Sequence, residues 1–541
     1  MRMARDMSDD FGLGDGPPDL DPRILNPGVN CWRIEPAARL NFLIDSADYF
    51  AALKAALLRA RHSVWILAWV FDPLTRLTPD TSVKSGDPAH ADRLGLLLRR
   101  MAALNPALDV RILAWDMAPP IAASQLFAPQ RAAAYFHGSR VKFRLDSSVP
   151  LSACHHQKVV VIDGRVAFVS GGDMGPDRWD TCHHADHDPR RRLPNGKRYP
   201  ARHEVSMVVE GAAAGALGDL FALRWKRAGG GTVSPPPEPI PGEDSPWPPG
   251  LQAHLKHQPL AISRTLARWR QHTGAYESLR LHLDAIAQAR RLIFLENQYL
   301  TSPLIVEALA ERLIEQDGPE IVTIGPMESP SYFDQLTMDS ARSAAIARLQ
   351  ATDLQGRFRA FTPRTPGDNA VIVHSKVAVI DDRLLRIGSA NLNNRSTGLD
   401  SECDVALEAE DGPAGEAARE AIRAFRARLI GHYMERDGDE VRAAMAREGG
   451  LAAAIDALDT REHRRLRPFE CGPQGWFARF VASWSLGDPT TPQDAWNPWN
   501  RRKRLRRDLQ LLLPCVMDEA EDCDAPAAAP GKTAAVAAPD A

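Results

Sequence analysis

The octapeptide His156-Gln-Lys158-Val-Val-Val-Ile-Asp163 returns as His374-Ser-Lys376-Val-Ala-Val-Ile-Asp381, with the two histidines 218 residues apart. A His-x-Lys pair leading into four apolar residues and an Asp is rare by chance, so two matched copies point to a duplicated unit. Each apolar run has the length and β-branched content of a buried strand. Residues two apart on a strand face the same side, which projects His156 with Lys158 and His374 with Lys376. Asp163-Gly164 and Asp381-Asp382 read as turns into second strands, 166–169 and 384–387. These end in small residues, Ser170-Gly-Gly-Asp173 and Gly388-Ser-Ala-Asn391, which let a ligand approach the backbone.

The flanks repeat as well. A helix at 51–60, a strand at 63–71, a helix at 91–104 and a strand at 110–115 recur as 281–289, 291–299, 306–316 and 320–324. Ala60-Arg-His-Ser-Val-Trp-Ile-Leu aligns with Gln288-Ala-Arg-Arg-Leu-Ile-Phe-Leu. This alternation predicts the α/β class, with a parallel or mixed sheet and helices packed on it. The copies fall at 31–228 and 263–435. The Pro/Gly-rich stretch between them, 229–262, reads as a connector. A helix over 416–434 closes the second copy. Residues 436–514 read as a separate, partly helical and Trp-rich segment, and 1–30 and 515–541 as disordered.

Composition excludes several classes. With 44% hydrophobic and 25% charged residues this is an ordinary globular chain of 541 residues. A formal charge of −3 argues against a nucleic-acid-binding polycation. The seven cysteines lack paired spacing, which fits a reducing compartment. No apolar run approaches the ~20 residues of a membrane span. The start, Met1-Arg-Met-Ala-Arg-Asp, leads into acidic and Gly/Pro-rich residues. The expectation is a cytoplasmic protein that touches lipid at most peripherally.

Two His and two Lys converging on one point suit a phosphodiester. Lys158 and Lys376 neutralise phosphate oxygens, one imidazole attacks phosphorus, and the other protonates the leaving oxygen. No cofactor or metal is needed if the lysines hold the charge. A single His-x-Lys strand is more often a solvated edge; two matched copies make that reading improbable.

On these residues the chain resembles the phospholipase D superfamily, whose signature is His-x-Lys-x-x-x-x-Asp twice, followed by Gly/Ser-rich residues and Asn. Asp177-Arg-Trp-Asp180, Glu296-Asn-Gln-Tyr299 and Gly388-Ser-Ala-Asn-Leu-Asn-Asn-Arg-Ser396 bring it nearer the phospholipid-cleaving members than the short nucleases. The resemblance implies two sandwich repeats related by a pseudo-twofold axis, with one active site at their interface. It implies phospholipase D activity through a phosphohistidine on His156, with His374 as acid and base; by residues alone the two histidines are interchangeable. It implies that an acidic residue on a later strand orients each histidine, Glu204 serving His156 and Glu402 serving His374. Ser389, Asn391 and, less typically, Asp173 are the implied phosphate contacts beside the lysines. Asp163 and Asp381 belong to the catalytic signature but read as structural, holding their turns. The implied partner is a phospholipid at a membrane surface, with no nucleic acid. Both motifs in one chain imply a monomer. A cardiolipin-synthase-type transferase and a nuclease of the same superfamily remain alternatives.

Two further stretches stand out. Cys182-His183-His184-Ala-Asp186-His187-Asp188 has the residue types of a metal cluster but reads better as a mobile polar rim or lid, with no metal. Trp476-Phe-Ala-Arg-Phe, Trp484 and Trp496-Asn-Pro-Trp499 precede the basic run Arg501 to Arg507. They suit either a membrane anchor or a cap on the core.

Overall fold

A computed structural model describes residues 23–509, apart from 80–91, 239–242, 330–333, 411, 461–463, 471–483 and several positions between 485 and 508. The strands of the first half are β1 (Arg33–Ile44), β2 (Ser63–Ala68), β3 (Asp109–Trp115), β4 (Lys142–Asp146), β5 (Val159–Ile162), β6 (Val166–Ser170), β7 (Arg202–His203) and β8 (Val205–Gly211). Those that follow are β9 (Leu255–Leu266), β10 (Ala275–Tyr276), β11 (Leu292–Asn297), β12 (Glu320–Ile324), β13 (Phe358–Pro363), β14 (Ile372–Val373), β15 (Lys376–Ile380), β16 (Leu384–Gly388), β17 (Glu402–Glu408) and β18 (Leu466–Pro468).

These strands build one 16-stranded mixed sheet in the order β18-β13-β12-β11-β15-β16-β17-β9-β1-β8-β6-β5-β2-β3-β4, with β10 beside β9 and a separate β14–β7 pair. The order reads alike outward from its middle. There β1 and β9 pair antiparallel, from Arg33 opposite Ile262 to Leu40 opposite Leu255. The two halves therefore share a sheet rather than facing each other with two.

Alternation along the strands explains the layers. Val159 and Val161 of β5, with Val377 and Val379 of β15, join a core under helices 212–227 and 413–434. Val160 and Ile162 turn to the opposite face, under helices 46–57 and 94–104. Ala378 and Ile380 do the same under helices 277–288 and 303–314. Strands buried on both faces need apolar residues at every position, which is what the two Val/Ile runs supply.

Three expected boundaries move. The connector predicted over 229–262 ends earlier, because β9 starts at Leu255 and is central to the sheet. Residues 23–30, expected to be disordered, are packed: Ile24 and Leu25 are buried, and their N–H groups donate to Glu408. The described residues of 436–514 are not separate, since β18 extends the sheet beside β13 and helix 438–448 packs against helix 413–434. The stretches 1–22, 476–480 and 515–541 lie outside the described residues. Among the described residues, no helix is long and apolar enough to cross a membrane.

Candidate active site

His156, Lys158 and His374 lie just ahead of β5 and β15, not on the strands themselves. Alternation holds there all the same. The intervening Gln157 and Ser375 are fully buried and point the other way. Gln157 donates to the Glu402 carbonyl at 3.0 Å, and the Ser375 hydroxyl donates to Glu296 at 2.5 Å.

These run-ins cross between the halves. β14, leading to His374, pairs in parallel with β7, leading to Glu204, and the His374 N–H donates to the His203 carbonyl at 3.0 Å. In the mirrored place the His156 N–H donates to the Ser401 carbonyl at 2.9 Å. Each glutamate consequently meets the other half's histidine. His156 Nδ1 is 2.9 Å from Glu402 Oε2, and His374 Nδ1 is 2.9 Å from Glu204 Oε2. The expected pairing within each copy is overturned. β8 and β17 flank the central β1–β9 pair, so the glutamates at their starts face across the middle of the sheet.

The two carboxylates are held differently. Glu402 accepts from the hydroxyls of Ser389 (2.5 Å) and Ser396 (2.7 Å). Glu204 lies instead over two glycines. A Cβ on Gly171 would fall 2.5 Å from Glu204 Oε1, and one on Gly172 would fall 2.4 Å from Oε2. The first half's Ser-Gly-Gly thus makes room for a carboxylate, where the second half's Gly-Ser-Ala supplies a hydroxyl to one. Ser389, expected to contact phosphate, is committed to Glu402 and also accepts the Cys403 N–H.

The Lys158 ammonium donates to the His156 carbonyl at 2.8 Å and pairs with Asp173 at 3.2 Å. Lys376 donates to the His374 carbonyl and, at 3.2 Å, to Gln298 Oε1. Asp173 is not placed as a phosphate contact: it offers no donor, pairs with Lys158, and accepts the N–H groups of Trp69 and Val70. Asn391 is buried, and its side-chain oxygen has no partner among the described residues.

Burial is the largest influence on His156, His374, Glu204, Glu402 and Lys376. It lowers His156, helped by the Lys158 and Lys376 charges, and lowers His374, helped by Lys376 and Arg202. It raises Glu204 and Glu402 against the opposing pull of nearby lysine charge. Lys376 is pulled down to about 7, by burial first. Both imidazoles are therefore biased toward the neutral ring, and a carboxylate on Nδ1 leaves Nε2 as the reactive nitrogen. A neutral ring at one position can attack, while the other must acquire a proton to serve as acid.

Asp163 and Asp381 stand apart from this chemistry, at the far ends of β5 and β15. Asp163 accepts three backbone N–H groups, from Arg61, His62 and Ser63, at 2.7–2.9 Å. Asp381 does the same for Arg290, Arg291 and Leu292. Though part of the catalytic signature, both hold turns, the structural role their sequence context suggested.

The stretch 182–188 is also not the mobile rim expected. His184 is fully buried, and Asp186 accepts from Thr365, Gly367 and Asn369 of the second half. Sequence reasoning assigned no role to Ser396, Gln298 or Glu296, although all three lie in runs that carried the resemblance. It also missed Asp488, which accepts the Asn394 and Arg395 N–H groups and so secures the short helix that presents Ser396.

Residues 282–429 match the family described as cardiolipin synthase, PLD-like domain. Phospholipase D A of Dictyostelium discoideum is 24% identical over 453 residues, covering 68% of this chain and 32% of that protein. Phospholipase D2 of Bos taurus is 22% identical over 478 residues, covering 69% of this chain and 50% of the relative. The chain thus spans a third to a half of the length of these two relatives. Among solved structures, phosphatidylserine synthase of Haemophilus influenzae Rd KW20 aligns with a TM-score of 0.48 and 16% identity, covering 72% of this chain and 88% of that one.

Proposed function

Because the chain belongs to the phospholipase D superfamily, we propose that it hydrolyses the distal phosphodiester of a glycerophospholipid to phosphatidate and a free head-group alcohol. The observation that carries this reading is the crossed pair of His–Glu contacts, which joins two His/Lys half-sites into one centre. His156 Nε2 attacks phosphorus, forming the P–N bond of a phosphohistidine as the P–O bond to the head group breaks. His374 delivers its proton to that departing oxygen. It then takes a proton from water, whose oxygen displaces His156 from phosphorus. An alcohol in place of water gives transphosphatidylation from the same intermediate. Lys158 and Lys376 offset the phosphate charge throughout. The attacking role of His156 follows the family resemblance.

A second reading is favoured by the family matched over residues 282–429: a cardiolipin-synthase-type transferase, with a phospholipid as the accepting alcohol. Purified protein and its His156→Ala variant, incubated with phosphatidylcholine and ethanol or with phosphatidylglycerol alone, separate the two. Choline and phosphatidylethanol formed by the wild type and not by the variant support the phospholipase. Cardiolipin formed from phosphatidylglycerol, with phosphatidylcholine untouched, supports the transferase. Cleaved plasmid DNA without any lipid product overturns both in favour of a nuclease.

A further inference from the structure

Behind the Glu204 half-site lies a buried group that the reaction does not use. Asp45 ends β1, His203 ends β7, His184 comes from the loop after the first motif, and His432 lies in the last turn of helix 413–434. The three imidazole rings surround Asp45, with centroids 4.8–5.6 Å apart. One potential ligand atom from each of the four residues lies within 4.8 Å of all the others. The side chains of His184 and His203 are 0% exposed and that of Asp45 1%.

Three polar atoms turned into this cluster have no hydrogen-bond partner among the described residues: Asp45 Oδ2, His184 Nε2 and His432 Nε2. Unpaired buried acceptors are rare, and three at one point call for a common partner. Asp45 Oδ2 is 3.6 Å from His184 Nε2 and 3.8 Å from His432 Nε2. Those separations exceed hydrogen-bond length but approach the ~3.3 Å edge of a tetrahedron of N and O ligands about a zinc ion. The outward nitrogens are already fixed. His184 Nδ1 faces Asp180 Oδ2 at 3.2 Å, His432 Nδ1 donates to the Leu429 carbonyl, and His203 Nε2 faces Glu296 Oε1 at 2.9 Å. A carboxylate or carbonyl on the outer nitrogen is the arrangement that orients imidazole toward a metal. Asp45 itself sits at φ 71°, a conformation uncommon outside glycine.

We propose that Asp45 Oδ2, His184 Nε2, His432 Nε2 and His203 Nδ1 form a closed structural site for one zinc ion. Three imidazoles and one carboxylate suit zinc rather than calcium or magnesium, which prefer all-oxygen shells. His203 Nδ1 now faces Asp45 Oδ1 at 2.9 Å; binding zinc through Nδ1 releases the proton of that contact as H⁺ and leaves Oδ2 as the Asp45 ligand. The ion ties three ligands of the first half to His432 of the second. It lies one residue from Glu204, whose carbonyl accepts the Asp45 N–H at 2.8 Å. The site is a clamp on the half-site and touches no substrate. It stands whichever reaction the centre catalyses.

Elemental analysis of the full chain, purified without a polyhistidine tag, tests this. The expected content is one zinc per chain. Removal by a strong chelator lowers Tm, and added zinc restores it. Cobalt taken up in its place shows the intense visible absorption of a tetrahedral ion. His184→Ala abolishes the content, whereas His184→Cys, which keeps a zinc ligand, retains it and controls for misfolding. A natively folded wild type that holds no zinc and whose Tm zinc does not raise overturns the proposal, leaving ordered water as the cluster's partner. So does a folded His184→Ala variant with undiminished zinc.

Discussion

His156 and Glu402, 246 residues apart in the chain, meet at 2.9 Å, so neither half contains a complete His–Glu pair. Glu402→Gln is expected to perturb the His156 ring, and Glu204→Gln the His374 ring. NMR of ring-labelled histidine, with the two signals assigned by His→Ala variants, checks the pairing. Either change is expected to lower kcat by roughly 10²–10⁴, as for a carboxylate that holds a catalytic imidazole in its tautomer.

Gly172 has no room for a methyl group beside Glu204. Gly172→Ala is expected to displace that carboxylate and, through it, the His374 ring, lowering kcat by about 10² while Tm falls only slightly. Steady-state kinetics and calorimetry on one preparation separate the two effects. Wild-type kcat in this variant would mean that Glu204 does not position His374.

Lys376 carries its charge below its pKa, which burial brings down to about 7. As pH rises past neutrality it becomes neutral and its hold on phosphate weakens. In assays on a soluble short-chain phospholipid, kcat/KM is expected to fall on the alkaline side of pH 7 through a rising KM. Lys376→Arg, charged throughout, is expected to lack that limb whatever its maximal rate. A wild-type profile flat to about pH 9, well past the shifted value, would show that the loss of the Lys376 charge does not limit phosphate binding in that range.

Asp163→Ala strips three backbone N–H groups of their acceptor and places alanine at φ 53°. It is expected to cost about 3 kcal/mol or more in denaturant unfolding, with kcat per folded molecule unchanged. A large loss of kcat in fully folded protein would return Asp163 to the chemistry.

The fold was legible where local pattern and global role coincide. The Val/Ile runs after each His-x-Lys had to be doubly buried strands, and the repeat of their flanks foretold a sheet built alike on both sides. What the pattern could not carry was which half a side chain would meet. Glu204 and Glu402 were recognisable as orienting carboxylates, but their crossing depends on β1 and β9 lying at the centre of the sheet. β9 was hidden because its start fell in a stretch read as connector. His184 misled for a similar reason: a polar run looks solvated in sequence, and its burial is decided by Asp180, Arg191 and the second half's 365–369 turn.

The pairing of β1 with β9 also fixes what the smallest working unit can be. Cut between Gly229 and Leu255, each fragment would keep most of its helices yet expose a twelve-residue strand with an unpaired backbone edge, an invitation to self-association. The fragments are natural complements for a split reporter, since each supplies the strand that covers the other's open edge. The same pairing gives each half a reason to stay tethered: its partner covers the long edge it would otherwise leave open.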